Sequence, residues 1–356
     1  MRLIKHPAYE SPRAQLQREL ENHRAGHMVF IIGPSGVGKT TMRRSVMQGM
    51  FGHPTQWGHG MTPVVEVFAT YAKNAYFSSL DFAKHLLDEL HAPSLNWLLS
   101  GSSMPADEVA AIRRELEHCE KVWTELRPKR GTEGDYWRWF QRGLGARGCK
   151  YVSIDQATVL LVNHRNKSPA DHTLHLMSLA EASGVMFIMT GVHQASDLWA
   201  VHHELRRRVA VVWVPPYGEK RVSDVENFRR LLKSMENRYP CSKSGLLNGM
   251  AFDVMYATGG VFAEVCQLLE RANGKAQSDG GGKILKRHIE DSYLSNRDLE
   301  VLWGGIRAFE AAMRPGDVSK GAAAIRERWA AQHTMSVSNE VSQGAVDGQG
   351  PSGQSV

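Results

Sequence analysis

The sequence predicts an α/β fold, a parallel sheet flanked by helices and followed by a helical second unit. Three observations predict it. The glycine-rich stretch GPSGVGKTT joins an apolar run, Met28 to Ile32, to a helical pattern that starts at about Lys39. Further apolar runs follow at Pro63 to Phe68, Tyr151 to Ile154, Val185 to Met189 and Val209 to Val214, with helical patterns between them. That βαβ alternation calls for parallel strands with helices on both faces. From Tyr217 the alternation gives way to helices alone.

The chain has 356 residues, of which 42% are hydrophobic and 22% charged, enough for a real core and more than one unit. The expected division is a nucleotide-binding α/β domain over 1–216, a helical lid with C-terminal helices over 217–332, and a disordered tail over 333–356. The net charge of +6 is mildly basic and favours an acidic partner such as nucleic acid without establishing one. The four cysteines are scattered, with no C-x-x-C pair and no metal-ligand spacing, and read as reduced thiols. No apolar run approaches the ~18 residues of a membrane span, and the N-terminus lacks the apolar stretch of a signal peptide. A cytoplasmic protein is expected.

Taken in order, Ser11 to Arg24 is charged with Leu16 and Leu20 four apart, a surface helix leading into the first strand. The helix after the glycine-rich loop runs through Met47 and ends near Gly49 to Gly52. Between Thr70 and Lys150 the pattern is mainly helical: Phe82, Leu86, Leu87 and Leu90 share a face, Pro93 stops that helix, and Val109 to Leu126 form another. Tyr136, Trp137, Trp139 and Phe140 close the segment; helical spacing favours core packing over base stacking. After the third strand a basic loop, His164 to Lys167, leads to a helix through Leu179. Arg206, Arg207 and Arg208 precede the last strand, which Pro215 and Pro216 end. The second unit is expected to hold helices over Val222 to Asn237, Gly249 to Ala257, Gly259 to Asn273, Lys283 to Ser295 and Ala322 to Gln332.

The loop carries the chemistry. Gly33, Pro34, Ser35, Gly36, Val37, Gly38, Lys39, Thr40 and Thr41 match G-x-x-x-x-G-K-[ST] after a strand and before a helix. Glycines let successive N–H groups turn toward a phosphate, Lys39 brings charge to the β/γ oxygens, and Thr40 offers a hydroxyl to Mg²⁺. The positive end of the helix faces the same anion. These residues predict binding of a nucleoside triphosphate with Mg²⁺. The third strand ends in Asp155, a carboxylate delivered to the sheet edge where ligands of parallel sheets sit, and it is the expected second anchor for Mg²⁺. Thr190 ends the fourth strand at the same edge. Two readings of it are open: a hydroxyl that orients water or touches the γ-phosphate, or a plain strand cap.

The order of phosphate loop, Asp-ended strand, polar strand end, arginines before a strand and double proline, then a helical lid, resembles the AAA+ ATPases. His6-Pro7, GPSGVGKTT, the segment Phe77 to Pro93, Leu205 to Pro216 and TGGVFAEVCQLLERA (Thr258 to Ala272) resemble, within them, the TnsC/TniB regulators of DNA transposition. The resemblance covers about Ile4 to Asn273. It implies that Asp155 completes the metal site, that Thr190 is a sensor, and that Arg208, with Arg207 second, is a finger reaching a neighbour's nucleotide, so that oligomerisation depends on ATP. The family's second sensor, often an arginine after the Gly-Gly pair, is replaced here by Ala263 and Glu264, with Arg271 later. The implied partners are the chain itself in a ring or filament, double-stranded DNA held without sequence preference, a transposase and a target-selection protein. Lys73, Asn74, Arg165 and Lys167 are the implied channel-side DNA contacts.

Gln156 follows Asp155, where such ATPases more often carry Glu. Glutamine keeps the shape but has no basic carboxylate, so slow hydrolysis is expected. Three functional readings follow: an ATP-dependent DNA-binding regulator of transposition, an ATP-locked scaffold with little turnover, and a signalling ATPase with the same core.

Overall fold

The computed structural model describes residues 9–70, 77–99, 105–162, 169–200 and 202–344. Lys73, Asn74, Arg165 and Lys167, the His6-Pro7 pair and the end of the tail, 345–356, lie outside the described residues.

The strands are β1 (Met28–Ile32), β2 (Val64–Phe68), β3 (Tyr151–Asp155), β4 (Met186–Gly191) and β5 (Val209–Trp213). They form one sheet in the order β2-β3-β4-β1-β5, with every pairing parallel. Every residue of β1 is fully buried, as a central strand covered on both faces requires. Because all strands run the same way, their C-terminal ends share one edge, and the phosphate loop, Asp155 and Thr190 all emerge there.

The helices of the sheet-bearing part are α1 (Glu10–Glu21), α2 (Lys39–Phe51), α3 (Ser79–His91), α4 (Asn96–Leu99), α5 (Ala106–Leu126), α6 (Glu133–Ala146), α7 (Pro169–Ser183), α8 (Asp197–Ala200) and α9 (His203–Arg207). Leu16 and Leu20 of α1 are fully buried in one core with Val29, Ile31 and Val46, so this helix covers the sheet rather than only preceding it. In α6, Tyr136, Trp137 and Phe140 are buried, the packing role that their helical spacing favours.

Past β5 come α10 (Val222–Glu236), α11 (Leu246–Gly249), α12 (Ala251–Thr258), α13 (Phe262–Ser278), α14 (Lys286–Glu290) and α15 (Asn296–Met313). Phe228, Leu232, Val254, Leu268 and Ile289 belong to a second hydrophobic core of their own. Two expectations are corrected here. Gly259 and Gly260 do not begin a helix: both hold positive φ, and α13 starts at Phe262. The helix expected over Lys283 to Ser295 shrinks to Lys286–Glu290. The 18-residue α15 was not anticipated, although Leu299, Leu302, Ile306 and Phe309 give its period; it returns to the sheet, with Phe309 edge-on to Trp213 at 5.8 Å.

Residues 313 onward form a separate unit, described here by α16 (Ser319–Gly344). This helix continues past the expected end at Gln332, through a stretch, His333 to Gln343, that holds neither glycine nor proline to break it. No helix among the described residues is long and apolar enough to cross a membrane.

Candidate nucleotide site

The phosphate loop lies between β1 and α2. Gly38 sits at φ +97 as the N-cap of α2, a conformation L side chains avoid, and so brings the first amides of the helix round toward the loop. Gly33 accepts its register from the neighbouring strand, its amide donating to the Gly191 carbonyl at 3.3 Å. Lys39 spans the loop, its Nζ donating to the carbonyls of Gly33 at 2.8 Å and Pro34 at 2.7 Å. Burial pushes its pKa down to about 8, partly opposed by the Asp155 carboxylate. Val37 is fully buried in the core and anchors the loop rather than facing a ligand.

Around this loop is a cavity of about 590 Å³, lined by Ser35, Gly36, Gly38, Lys39, Thr40 and Thr41 on one side. Phe68, Asp155, Gln156 and Thr190 line the other. Its size falls within the ~300–1,000 Å³ of typical small-molecule sites. The Thr40 Oγ1 donates to Asp155 Oδ2 at 2.7 Å, so the two expected metal anchors are brought together. A hydroxyl and a carboxylate are hard oxygen donors suited to Mg²⁺, which would be held by Thr40 and Asp155 and would neutralise charge on the phosphates.

Gln156 is exposed, lines the cavity and stands at φ +55, the one positive φ outside glycine among the described residues. Its backbone amide donates to Asp155 Oδ1 at 2.9 Å, so the strained turn also holds the carboxylate in place. Asp155 is the single acid among the residues lining the cavity. Thr190 is buried at its rim.

A group that sequence reasoning missed stands behind this site. Arg43 of α2 is fully buried, donating to Thr190 Oγ1 at 2.9 Å and to Asp155 Oδ2 at 3.2 Å, with an ion pair to Glu66 of β2. Arg44 Nε also donates to Glu66, at 2.9 Å. The signal was an acid at the centre of an otherwise apolar strand, PVVEVF, which needs a buried partner.

Arg208 lies elsewhere. It precedes β5, and its carbonyl accepts from Met28 N at 2.9 Å at the start of β1. This is the N-terminal edge of the sheet, about 16 Å from the loop at five residues per strand. There Arg207 and Arg208 border a cleft with Glu181 and Glu204, and Arg208 Nη1 donates to Glu181 at 2.8 Å. From the helical unit, Phe262 and Ala263 reach the cavity at the phosphate loop, and the Ala263 amide donates to the Gly36 carbonyl at 3.1 Å. Arg271 instead donates to the Ser292 carbonyl at 3.2 Å.

No protein-family model matches the chain, and no curated protein does. Solved structures do. The Orc1 protein of Aeropyrum pernix in complex with DNA is similar at 12% identity and a TM-score of 0.53, over 81% of this chain and 65% of that one. The Orc2 protein of Aeropyrum pernix, in its ADPNP-ADP complexes, is similar at 14% identity and a TM-score of 0.50, over 83% and 70%. Cdc6p of Pyrobaculum aerophilum is similar at 15% identity and a TM-score of 0.50, over 82% and 67%. With the parallel five-stranded sheet and the phosphate loop in place, the chain has the fold of the AAA+ P-loop ATPases.

Proposed function

We propose that this chain is an ATP-binding AAA+ regulator of DNA transposition, of the TnsC/TniB kind, that assembles with ATP on double-stranded DNA. The observation that carries the nucleotide reading is the Thr40–Asp155 hydrogen bond inside a cavity that the phosphate loop walls. Gly33 to Thr41 would hold the phosphates, Thr40 and Asp155 the Mg²⁺, and Thr190 would sense the γ-phosphate. Arg208, remote from its own loop, would serve the nucleotide of a neighbouring copy in a ring or filament, with Arg207 beside it.

DNA enters on two supports: the mildly basic chain and a matched fold that was solved with DNA bound. Lys73, Asn74, Arg165 and Lys167 remain the proposed phosphate contacts, and a transposase and a target-selection protein the proposed partners in the cytoplasm. The proposed division of labour keeps 1–216 as the ATPase domain and 217–332 as the lid. Electron microscopy of the chain with duplex DNA and ATP tests the assembly. Ordered oligomers on DNA that need ATP are expected; monomers under all conditions would refute it.

A second reading, an ATP-locked scaffold, is favoured by one observation: Asp155 is the single acid lining the cavity and would be taken up by the metal, while Gln156 lines the wall where a base would stand. Glu66 does not take over, since Arg43 and Arg44 hold it away from the cavity lining. Steady-state phosphate release decides between fast and slow turnover.

A further inference from the structure

We propose that Arg43 is a positioning residue for the γ-phosphate: it turns the Thr190 hydroxyl into a donor aimed at the nucleotide and so sets the preference for a triphosphate over a diphosphate. This rests on the nucleotide-binding reading above. Arg43 lies three residues past Thr40 on α2 and points inward, fully buried. A guanidinium has five donors and no acceptor. Because Nη1 donates to Thr190 Oγ1 at 2.9 Å, the hydroxyl hydrogen of Thr190 cannot point back at Arg43. Thr190 lines the cavity, where the oxygens of a terminal phosphate are the acceptors that suit it.

The rest of the guanidinium is clamped from behind. Nη2 meets Asp155 Oδ2 at 3.2 Å and pairs with Glu66, whose two oxygens lie 2.9 and 3.3 Å from Arg44 Nε. One planar cation thereby ties a metal anchor, a strand-end hydroxyl and the edge strand β2 into one rigid unit. Stability does not account for it: a buried ion cluster is commonly no better than apolar residues of the same volume, and the Nε of Arg43 is buried with no hydrogen-bond partner among the described residues. Lysine, a point charge on a flexible stem, cannot reproduce the fork.

The test is the ratio of ATP to ADP affinity, measured on the full chain with Mg²⁺ by displacement of a fluorescent ADP analogue. Arg43→Lys and Thr190→Val are each expected to lower that ratio about tenfold. The double variant should fall no further, and Thr190→Ser should keep the ratio. A structural role alone would weaken both nucleotides alike. If Arg43→Lys does not fold, Glu66→Gln, which removes the charge that clamps the guanidinium from behind, must lower the same ratio. An unchanged ratio in these variants, or equal affinities in the unmodified chain, overturns the role of Arg43. Failure of the unmodified chain to bind either nucleotide overturns the nucleotide reading itself.

Discussion

Thr40 and Asp155 are 115 positions apart in the chain and meet at 2.7 Å, Thr40 donating to the carboxylate. One comes from the first turn of α2 and the other from the last position of β3, and the parallel pairing through β4 and β1 brings them to the same edge. A cation bound to both would draw on the carboxylate's charge more than on its shape.

Asp155→Asn is therefore expected to keep the fold and the Thr40 contact but to lose the gain that Mg²⁺ brings. Calorimetric titration of ATP with and without Mg²⁺ should show a large metal effect in the unmodified chain and almost none in the variant. Any hydrolysis should fall on the order of a hundredfold. A metal effect of undiminished size would place the anchor elsewhere.

Lys39 gives a pH dependence with two opposite signs. Burial lowers its pKa to about 8 in the free folded chain, against an ordinary value of 10.5. The free fold therefore carries a penalty below pH 8 that is relieved as pH rises toward 10.5, since there the unfolded chain holds the extra proton. ATP needs the charged form, so its affinity should fall as pH passes 8, by about tenfold at pH 9. Calorimetry across pH 7 to 9 checks this, and Lys39→Ala should bind ATP far more weakly with a flat profile.

Arg208→Ala is expected to leave folding and ATP binding of the single chain intact, because the residue sits at the opposite sheet edge from its own loop. Its ion pair with Glu181 is partly exposed and contributes little, roughly 0–1 kcal/mol. ATP-dependent oligomers should weaken. Mixing Arg208→Ala chains with Lys39→Ala chains should restore part of the activity, since some interfaces then pair an intact arginine with an intact loop. No rescue, with oligomers and turnover unchanged, would end the finger assignment.

Gln156→Glu restores a carboxylate at the cavity wall beside Asp155 and should raise turnover at least about tenfold, against the 10² to 10⁴ that a positioned base typically supplies. Complexes on DNA should become shorter-lived. Rapid hydrolysis by the unmodified chain, unaltered in the variant, would locate the base at another residue.

The sequence by itself determined what is written locally. Glycine spacing in GPSGVGKTT specifies a phosphate loop, apolar runs specify the five strands, and Asp155 and Thr190 are legible because each ends such a run. Gly259 and Gly260 could have been read as a helix stop, and the period in α15 as a helix. Only the tertiary structure decided the partners of Arg43, which in the sequence is one of two adjacent arginines after the loop. Its burial follows from β2 and β4 arriving beside α2, bringing Glu66 and Thr190 from opposite parts of the chain. The same holds for Arg208, whose distance from its own loop depends on β5 lying parallel to β1. The reason is physical: helix and strand periods reflect each segment's own need to bury an apolar face, whereas a buried cation is tolerable only where distant segments supply its acceptors.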